Sequence, residues 1–369
     1  MRIAHVGLKG IPVTYGGIEQ VTEVLASRMA QRGHSVAVYA RSHYTPRSMI
    51  YRGVEVRRLP SWDSKYTDAL SHTFLSLVDV RRRWVDVVHL HSLGPAIFTP
   101  LARALGLRVV VHLHGQEWQG GKWGRAARLG FKAAEWPAVY APHELVVVSA
   151  GLQDYYKRKF GRAAQRIPNG VDLPAVRPWP GEVNRLTGFE PGEYLLFVGR
   201  LVPEKGLDTL LEARASAVRN RPLVLVGDAD HSVAYARHLR QKWSSDRVRF
   251  LGWVYGAALS QLYASSWAFI QPSRREGLSM TLLEAMAHGC RIVASDIAPN
   301  REVLGDTGSY VPVGSVGELR AALDALERDR SRADWSAARD RVAKHFQWDG
   351  IIDRWEQVYE RVARAHCPV

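Results

Sequence analysis

The sequence predicts an α/β protein with two doubly wound domains that face each other across a cleft. The chain has 369 residues, about twice the length of an ordinary domain. Short β-branched segments alternate with segments of helical periodicity, which is typical of parallel sheets covered on both faces. Residues 172–181 hold three prolines and a glycine between two such series, and this stretch predicts a domain boundary.

Each series supplies five predicted strands. The first series gives Ile3–Val6, Val36–Tyr39, Val85–Leu90, Val109–Leu113 and Leu145–Val148. The second gives Tyr194–Val198, Leu223–Val226, Val248–Phe250, Ala268–Ile270 and Ile292–Ala294. Loops at the carboxyl ends of such strands form the ligand sites of this fold class.

We therefore expect one domain over residues 1–172 and a second over residues 173–349. The apolar positions of Trp348–Ala365 recur at helical spacing and predict a last helix. That helix could cap the second domain or cross back to the first, and we assign residues 350–369 to the first.

Composition excludes several classes of protein. Apolar residues make up 46% of the chain and charged residues 23%, and no apolar run approaches the ~20 residues of a membrane span. The N-terminus has the pattern of a first strand and not of a signal peptide, so we expect a cytoplasmic protein. Two cysteines, Cys290 and Cys367, provide neither a disulfide framework nor the spacing of a metal site.

The net charge of +14 is concentrated in the first half of the chain. Residues 1–172 hold 24 Lys and Arg against 12 Asp and Glu, whereas residues 173–369 hold 26 against 24. A basic half predicts an anionic partner, which could be a membrane surface, a phosphorylated acceptor or nucleic acid. Charge that serves solubility alone is the alternative.

The first predicted strand leads into a glycine-containing loop, residues 7–17, that precedes a helix. Glycine lets a backbone approach a ligand closely, and a helix N-terminus offers unpaired N–H groups with a partial positive charge. We therefore predict that Gly16 and Gly17 bind a phosphate. The earlier glycines lack the spacing of the dinucleotide fingerprint, so a plain turn is the alternative.

Two glutamates of the second half lie eight positions apart, Glu276 in a loop and Glu284 one turn inside a helix predicted over Thr281–His288. Carboxylates accept hydrogen bonds, and the N–H groups at the helix start can bind an anion. The pair therefore suits a ligand with both hydroxyls and phosphate, such as a nucleotide sugar. Taken singly, each could be an ordinary helix-start or surface acid.

A basic pair completes the predicted site. The strand that ends at Gly199 brings Arg200 and Lys205 to the same end of its sheet. A departing diphosphate carries about two to three negative charges, which many transferases neutralise with a metal held by aspartates. The sequence holds one Asp-x-Asp triplet, at residues 228–230, and the arginine fork with the lysine point charge can replace the ion. We predict no metal and no other cofactor, although either residue alone could be a solvated surface charge.

In their order along the chain, four motifs resemble glycosyltransferase family 4, whose members are retaining enzymes with the two-domain fold called GT-B. They are Tyr15-Gly16-Gly17-Ile18-Glu19, Asn169-Gly170-Val171-Asp172, Gly199-Arg200 with Lys205-Gly206, and Glu276 with Glu284. The resemblance covers most of the chain. It implies that Arg200 and Lys205 bind the donor diphosphate and that Gly17 lies near its distal phosphate. Glu276 would then hold sugar hydroxyls, and Glu284 the ribose.

The resemblance also implies a role for His114. It follows the predicted strand Val109–Leu113, where the family places a histidine near the transferred sugar. A structural role is the alternative, because His89, His91 and His112 lie on neighbouring strand segments.

Retention of configuration is likewise implied by the family. Two carboxylates alone could indicate the double displacement of glycosidases. We expect instead that the departing phosphate accepts the acceptor's proton on the same face of the sugar. The predicted catalytic residues are Arg200, Lys205, Glu276 and His114, and the predicted donor-binding residues are Gly16, Gly17, Gly199, Arg200, Lys205, Glu276, Gly277, Leu278, Ser279, Met280 and Glu284.

Residues 115–125 are similar to a bacterial subgroup that builds surface polysaccharides, rhamnosyltransferases among them. In the helix predicted after them over Gly124–Ala134, Arg125, Arg128 and Lys132 share a face, and Lys122 leads into it. This face predicts either contact with anionic lipid or a lipid-linked acceptor, or a solvated helix surface.

Other classes stay open as alternatives. A phosphorylase on a similar scaffold would need a lysine that carries pyridoxal phosphate, and a nucleotide-sugar epimerase would convert the donor without an acceptor. A basic nucleic-acid-binding protein is a third class, although the chain lacks a recognition motif for it. We expect a hexosyltransferase that moves a sugar from a nucleotide diphosphate to a saccharide, lipid-linked or natural-product acceptor. It would act in the cytoplasm or at the inner face of the membrane.

Overall fold

The computed structural model describes residues 1–14, 16–45, 47–64, 67–119, 124–174, 180–229, 232–328 and 336–365. The chain folds as two compact units. Unit 1 comprises Met1–Asn169 and Trp348–Val369, and unit 2 comprises Gly170–Gln347. These limits lie within a few residues of the boundaries expected after residues 172 and 349.

Unit 1 is built on an eight-stranded sheet. Its strands are β1 (Arg2–Val6), β2 (Ser35–Arg41), β3 (Met49–Tyr51), β4 (Val54–Leu59), β5 (Val87–His91), β6 (Val109–Leu113), β7 (Glu144–Val147) and β8 (Gln165–Arg166). Its first helices are α1 (Gly17–Gln31), α2 (Asp68–Arg81), α3 (Leu93–Ala96), α4 (Thr99–Ala104), α5 (Arg125–Tyr140) and α6 (Ala150–Phe160).

The strands of unit 1 are ordered β3-β4-β2-β1-β5-β6-β7-β8, and β3 alone of them runs antiparallel to its neighbour. The order reverses between β1 and β5, which makes a topological switch point. Strands β5 and β6 are buried along their whole length. That burial explains why they form continuous apolar runs broken only by histidine.

Unit 2 is built on a six-stranded parallel sheet in the order β11-β10-β9-β12-β13-β14. Its strands are β9 (Leu195–Val198), β10 (Leu223–Val226), β11 (Val248–Gly252), β12 (Ala268–Gln271), β13 (Ile292–Ser295) and β14 (Ser309–Val311). Its helices are α7 (Pro180–Thr187), α8 (Leu207–Ser216), α9 (Val233–Trp243), α10 (Gly256–Ala264), α11 (Met280–Ala287), α12 (Ala298–Leu304), α13 (Val316–Arg328) and α14 (Ser336–His345). The switch point lies between β9 and β12, so the loops after these two strands diverge and leave a crevice.

The last helix, α15 (Trp348–Arg364), packs on unit 1, where it contacts α1, β5 and β6. Trp355 and Tyr359 of this helix are buried. Arg32, directly after α1, forms ion pairs with Asp353 and Glu356 at 2.6 and 2.7 Å. Both units are doubly wound α/β domains, as the sequence predicts.

The sequence gives no sign of β3, β4, β8 and β14. Three of them have only two or three residues, and β4 alternates apolar with charged side chains near the edge of its sheet. Helix α5, predicted to end at Ala134, continues to Tyr140 through Pro137, because Ala138 and Val139 are buried and hold its last turn in place. In the described parts of the chain, no helix is both long enough and apolar enough to span a membrane.

Candidate active site

The predicted donor-binding residues of unit 2 lie in the two loops that diverge at its switch point. After β9, the chain turns at Gly199 and exposes Arg200. A short 3-10 helix, Pro203–Lys205, then leads to Gly206 and α8. The second loop follows β12 and carries Glu276.

The two loops touch at Gly206. Its φ of +68° is left-handed, and a Cβ built on it would lie 2.1 Å from the carbonyl oxygen of Pro272 in the β12 loop. A second link is the hydrogen bond from the backbone N–H of Arg274 to the carbonyl of Glu204, at 2.8 Å. Only glycine allows this approach, because any side chain would push the loops apart.

The loop contact brings the predicted basic and acidic residues together. Lys205 Nζ donates a hydrogen bond to Glu276 Oε1 at 2.6 Å, and the two side chains are 15% and 10% exposed. Gln271 Nε2 donates to the same oxygen at 2.7 Å, and Gln271 itself is fully buried at the end of β12. The Glu276 carboxylate is therefore held in one orientation from two sides, and both hydrogen bonds use Oε1.

The start of α11 lies between Glu276 and Glu284, as predicted from the sequence. Ser279 caps this helix by accepting a hydrogen bond from the N–H of Leu282, and it also accepts one from Gln271 Nε2 at 2.9 Å. The first N–H to bond within the helix is that of Leu283, which donates to the Ser279 carbonyl. The predicted anion-binding N–H groups precede that bond, and they belong to Leu278, Ser279 and Met280.

Glu284 lies one turn inside α11 and is half-buried. The hydroxyl of Tyr263, at the end of α10, donates a hydrogen bond to Glu284 Oε2 at 2.9 Å. Burial, together with the neighbouring carboxylate, raises the pKa of Tyr263 well above its usual value, so the phenol stays protonated and remains a donor. Glu284 is thereby oriented by a buried partner, as Glu276 is by Gln271.

The Asp-x-Asp triplet lies after β10 in the same sheet. Asp228 forms an ion pair with Arg240 at 2.8 Å and accepts a hydrogen bond from the N–H of Ala229. Asp230 lies outside the described residues. The carboxylate of Asp228 is thus already engaged by a cation of its own unit.

The glycine loop of unit 1 follows β1. Gly16 has a φ of +111° and precedes α1, while Gly17 has open space on the side where a Cβ would stand. The buried carboxylate of Glu19 accepts a hydrogen bond from the N–H of Lys9 at 3.1 Å and so ties the loop to the helix. Tyr15, the first residue of the matching motif, lies outside the described residues.

His114 follows β6 and is partly exposed. Its Nε2 lies 3.3 Å from Nδ1 of His91, and its ring centroid lies 4.0 Å from that of His112. Burial lowers the pKa of His114 to about 3, so its imidazole is neutral at physiological pH and can both donate and accept a hydrogen bond. His89, the fourth histidine noted in the sequence, is fully buried and lies 2.8 Å through Nδ1 from the Tyr359 hydroxyl.

Two family profiles match this chain. Residues 15–174 match Glycosyltransferase Family 4, and residues 192–329 match Glycosyl transferases group 1. The chain belongs to the glycosyltransferases. The prediction of a family 4 enzyme, made from four short motifs, is confirmed.

Relatives of this glycosyltransferase match along nearly its whole length. The phosphatidyl-myo-inositol mannosyltransferase of Mycobacterium tuberculosis is 28% identical in an alignment that covers 96% of this chain and 95% of that protein. Glycogen synthase of the same organism is 28% identical in an alignment that covers 97% of this chain and 94% of that protein.

Solved structures show the same fold. Sucrose-phosphate synthase from Thermosynechococcus elongatus has a TM-score of 0.84 at 21% identity, over 98% of both chains. Anabaena HepE in complex with UDP-glucose has a TM-score of 0.81 at 20% identity, over 98% of this chain and 100% of that one. The predicted GT-B fold is therefore confirmed.

Some residues at the site of this glycosyltransferase were not predicted from its sequence. Gln271 and Tyr263 orient the two glutamates. Of these two, only Gln271 could have been found from the sequence, because it is the one polar residue of a buried strand. Trp253 and Tyr255 also follow a strand end in unit 2, after β11. Both are exposed, and their rings are nearly parallel at a centroid distance of 6.4 Å.

Proposed function

We propose that this glycosyltransferase moves a sugar from a nucleotide diphosphate to a saccharide or lipid-linked acceptor, with retention of configuration and without a metal ion. The observation that carries the proposal is the contact between Lys205 and Glu276. It joins a group suited to phosphate with a group suited to sugar hydroxyls at the switch point of one sheet.

Lys205 and Glu276 can each serve a ligand while they remain paired. An ammonium group has three N–H donors, of which Glu276 takes one. The carboxylate uses Oε1 for Lys205 and Gln271, and we assign Oε2 to a hydroxyl of the transferred sugar. Glu284, oriented by Tyr263 through Oε2, would accept from the ribose hydroxyls.

The leaving diphosphate would be neutralised by Arg200 and Lys205, with the N–H groups at the start of α11 as further donors. The exposed guanidinium of Arg200 presents a planar fork at the end of β9. Two cations beside a helix N-terminus supply the charge that a metal ion supplies in other transferases.

For the transfer itself, we propose a same-face reaction. The bond from the anomeric carbon to the diphosphate breaks, and the acceptor oxygen forms its bond on the same face. The acceptor's proton passes to the departing phosphate oxygen. In unit 1, Gly17 would bind the distal phosphate, and the neutral imidazole of His114 would hydrogen-bond the sugar.

A screen for donor binding tests this proposal. Thermal unfolding is followed with UDP, GDP, ADP, dTDP and their sugars, in the presence of EDTA. A ligand that binds only the folded chain raises the melting temperature through RT ln(1 + [L]/Kd). If no nucleotide stabilises the chain with EDTA present, but one does with Mg²⁺, the metal-independent donor site is wrong.

Substitution of the basic pair tests the mechanism. Arg200→Ala and Lys205→Ala should each lower turnover by about 10²–10³-fold. The loss of one hydrogen-bond donor from an oxyanion hole has an effect of this size. The matched controls are Arg237→Ala and Lys242→Ala, which remove exposed basic residues of α9 in the same unit. Equal activity in all four variants would contradict the role assigned to the pair, and proton NMR of the product would give the anomeric configuration.

The lipid-linked acceptor is supported by a surface of α5. Arg125, Arg128 and Lys132 are exposed along one face with Leu129 and Trp136, whose exposed fractions are 70% and 63%. Cationic and apolar side chains on one helix face suit the headgroup region of an anionic membrane. One relative is named for a phosphatidylinositol acceptor, which agrees with this assignment.

Vesicle flotation with anionic lipid tests the α5 surface. Reversing the charges of Arg125, Arg128 and Lys132 should abolish flotation of a chain that otherwise floats. The control reverses three exposed basic residues of unit 2, Arg237, Lys242 and Arg320, and so makes the same change in net charge. If both triple variants lose flotation equally, net charge and not α5 is responsible. Lys122, also predicted for this surface, lies outside the described residues.

A further inference from the structure

Five histidines form a row in unit 1, on the face of the sheet that α15 covers. His89 and His91 alternate on β5, His112 on β6 and His114 directly after it have the same spacing, and His5 is their neighbour on β1. Side chains two positions apart on a strand point to the same face, so each pair presents both imidazoles together. The strand register aligns His5 with His89 and His91 with His112. The row is thus built by the sheet and not by a mobile loop.

Three members of the row, His91, His112 and His114, have the spacing of metal ligands. One nitrogen from each lies within 4.8 Å of the others, and His91 Nδ1 lies 3.3 Å from His114 Nε2. With zinc–nitrogen bonds of 2.0–2.1 Å, two ligands of a tetrahedral site lie about 3.3 Å apart. The third nitrogen therefore reaches the same ion through small side-chain rotations.

One histidine of this group, His112, has no hydrogen-bond partner among the described residues. His112 is 1% exposed, and neither of its ring nitrogens forms a hydrogen bond with a described residue. Both nitrogens are therefore available to a bound ion or water. Burial also lowers the pKa values of all three imidazoles, which keeps them in the neutral form that binds metals.

We propose that His91, His112 and His114 form a binding site for a divalent transition-metal ion such as Zn²⁺, Co²⁺ or Ni²⁺. Three neutral imidazoles favour these ions over Mg²⁺ and Ca²⁺, which prefer oxygen ligands. His114 is partly exposed, so the ion enters from its side of the strand end, where water completes the coordination.

Occupation of this site affects transfer through His114, and this consequence rests on the proposed function. A metal-bound His114 has one nitrogen on the ion and no longer presents it to a sugar. Zn²⁺ would therefore inhibit transfer and would leave nucleotide binding by unit 2 unchanged.

Binding of Co²⁺ to the tag-free, full-length chain tests the site, and it requires no activity measurement. We expect one ion per chain by equilibrium dialysis, with the intense visible absorption of four-coordinate Co²⁺. In His112→Leu, affinity should fall by at least about 100-fold, because even outer partners of metal-bound histidines contribute 10–100-fold.

The matched control is His72→Leu. His72 is a fully buried histidine of α2 in the same unit, and it lies outside the row. His72→Leu should bind Co²⁺ like the wild type. If His112→Leu does not fold, His114→Leu at the strand end carries the same test. The proposal is wrong if the wild type binds Co²⁺ no better than His112→Leu and His114→Leu do, or if His72→Leu loses as much affinity as they do. Neither result depends on sugar transfer, so this site and the proposed function can fail separately.

Discussion

Replacing Gly206 with alanine should separate the two loops that carry Lys205 and Glu276. The new Cβ would stand 2.1 Å from the Pro272 carbonyl oxygen, whereas real contacts of this kind are essentially never shorter than 3.0 Å. One loop must therefore move by about 1 Å. The hydrogen bond from Lys205 Nζ to Glu276 Oε1, now 2.6 Å, would lengthen to roughly 3.6 Å, which is no longer a hydrogen bond.

Two effects of this substitution have different sizes. A left-handed conformation costs a non-glycine residue about 1–2 kcal/mol, which lowers the free energy of unfolding. Misplacing a group of the active site by ~1 Å lowers the rate by about 10²-fold. We therefore expect Gly206→Ala to remain folded, with kcat/KM reduced by about 100-fold and weaker binding of nucleoside diphosphates.

Gly192→Ala separates these two effects. Gly192 also has a left-handed φ, +82°, but no atom lies within 4 Å of the position of its Cβ. This control should lose the same 1–2 kcal/mol of stability and keep wild-type binding in isothermal titration calorimetry. If Gly206→Ala binds the stabilising nucleotide as tightly as Gly192→Ala does, contact between the loops does not determine the geometry of the site.

Two further predictions concern buried donors and buried imidazoles. Tyr263→Phe removes the hydrogen bond to the Glu284 carboxylate and should lower the free energy of unfolding by about 1.5–3 kcal/mol in urea, with weaker donor binding. The control is Tyr194→Phe, because the Tyr194 hydroxyl donates to the neutral Leu262 carbonyl. This variant should lower the free energy of unfolding by about 0.5–1.5 kcal/mol and leave donor binding intact. Equal losses of stability and of donor binding in the two variants would refute the role assigned to Tyr263. Burial lowers the pKa of His5 to about 3, so between pH 3 and about 6.5 the unfolded chain binds more protons at this residue than the native chain does. Stability should therefore rise with pH in that window, by up to about 1.4 kcal/mol per pH unit for this residue, and should level off above it. Urea unfolding at pH 5, 6 and 7 measures the slope, which should be shallower in His5→Leu; an unchanged slope would show that His5 does not contribute.

The parts of this fold that could be predicted from sequence are those whose residues respond to burial alone. Strands β9 and β12 are buried, so they form apolar runs whose ends fix where Arg200 and the Glu276 loop begin. Edge strands such as β4 depend on a neighbouring strand instead, and their charged residues conceal them. The prediction for α5 ended too early for a related reason, because packing of the last turn of this helix outweighs the low helix propensity of Pro137.

Contacts between distant segments are the second kind of feature that sequence does not reveal. Lys205 and Glu276 are 71 positions apart, and they meet only because β9 and β12 are neighbours at the switch point. The hydrogen bond of Tyr263 with Glu284 depends on where the end of α10 and the first turns of α11 lie in the fold, which neither helix encodes alone. The histidines of β5 and β6 are visible as alternating residues, but strand register decides which of them meet.

The contact between Lys205 and Glu276 changes what each of them is expected to do. Considered separately, the lysine is proposed to bind phosphate and the glutamate to bind sugar. Because they are joined, a phosphate that attracts Lys205 would also act on the orientation of Glu276, and a sugar hydroxyl on Glu276 would act in turn on the lysine. A nucleotide sugar would satisfy both groups, whereas the product diphosphate would leave the outer oxygen of a mostly buried carboxylate unpaired, which is unfavourable. The same pair would therefore help the enzyme to hold its donor and to release its product.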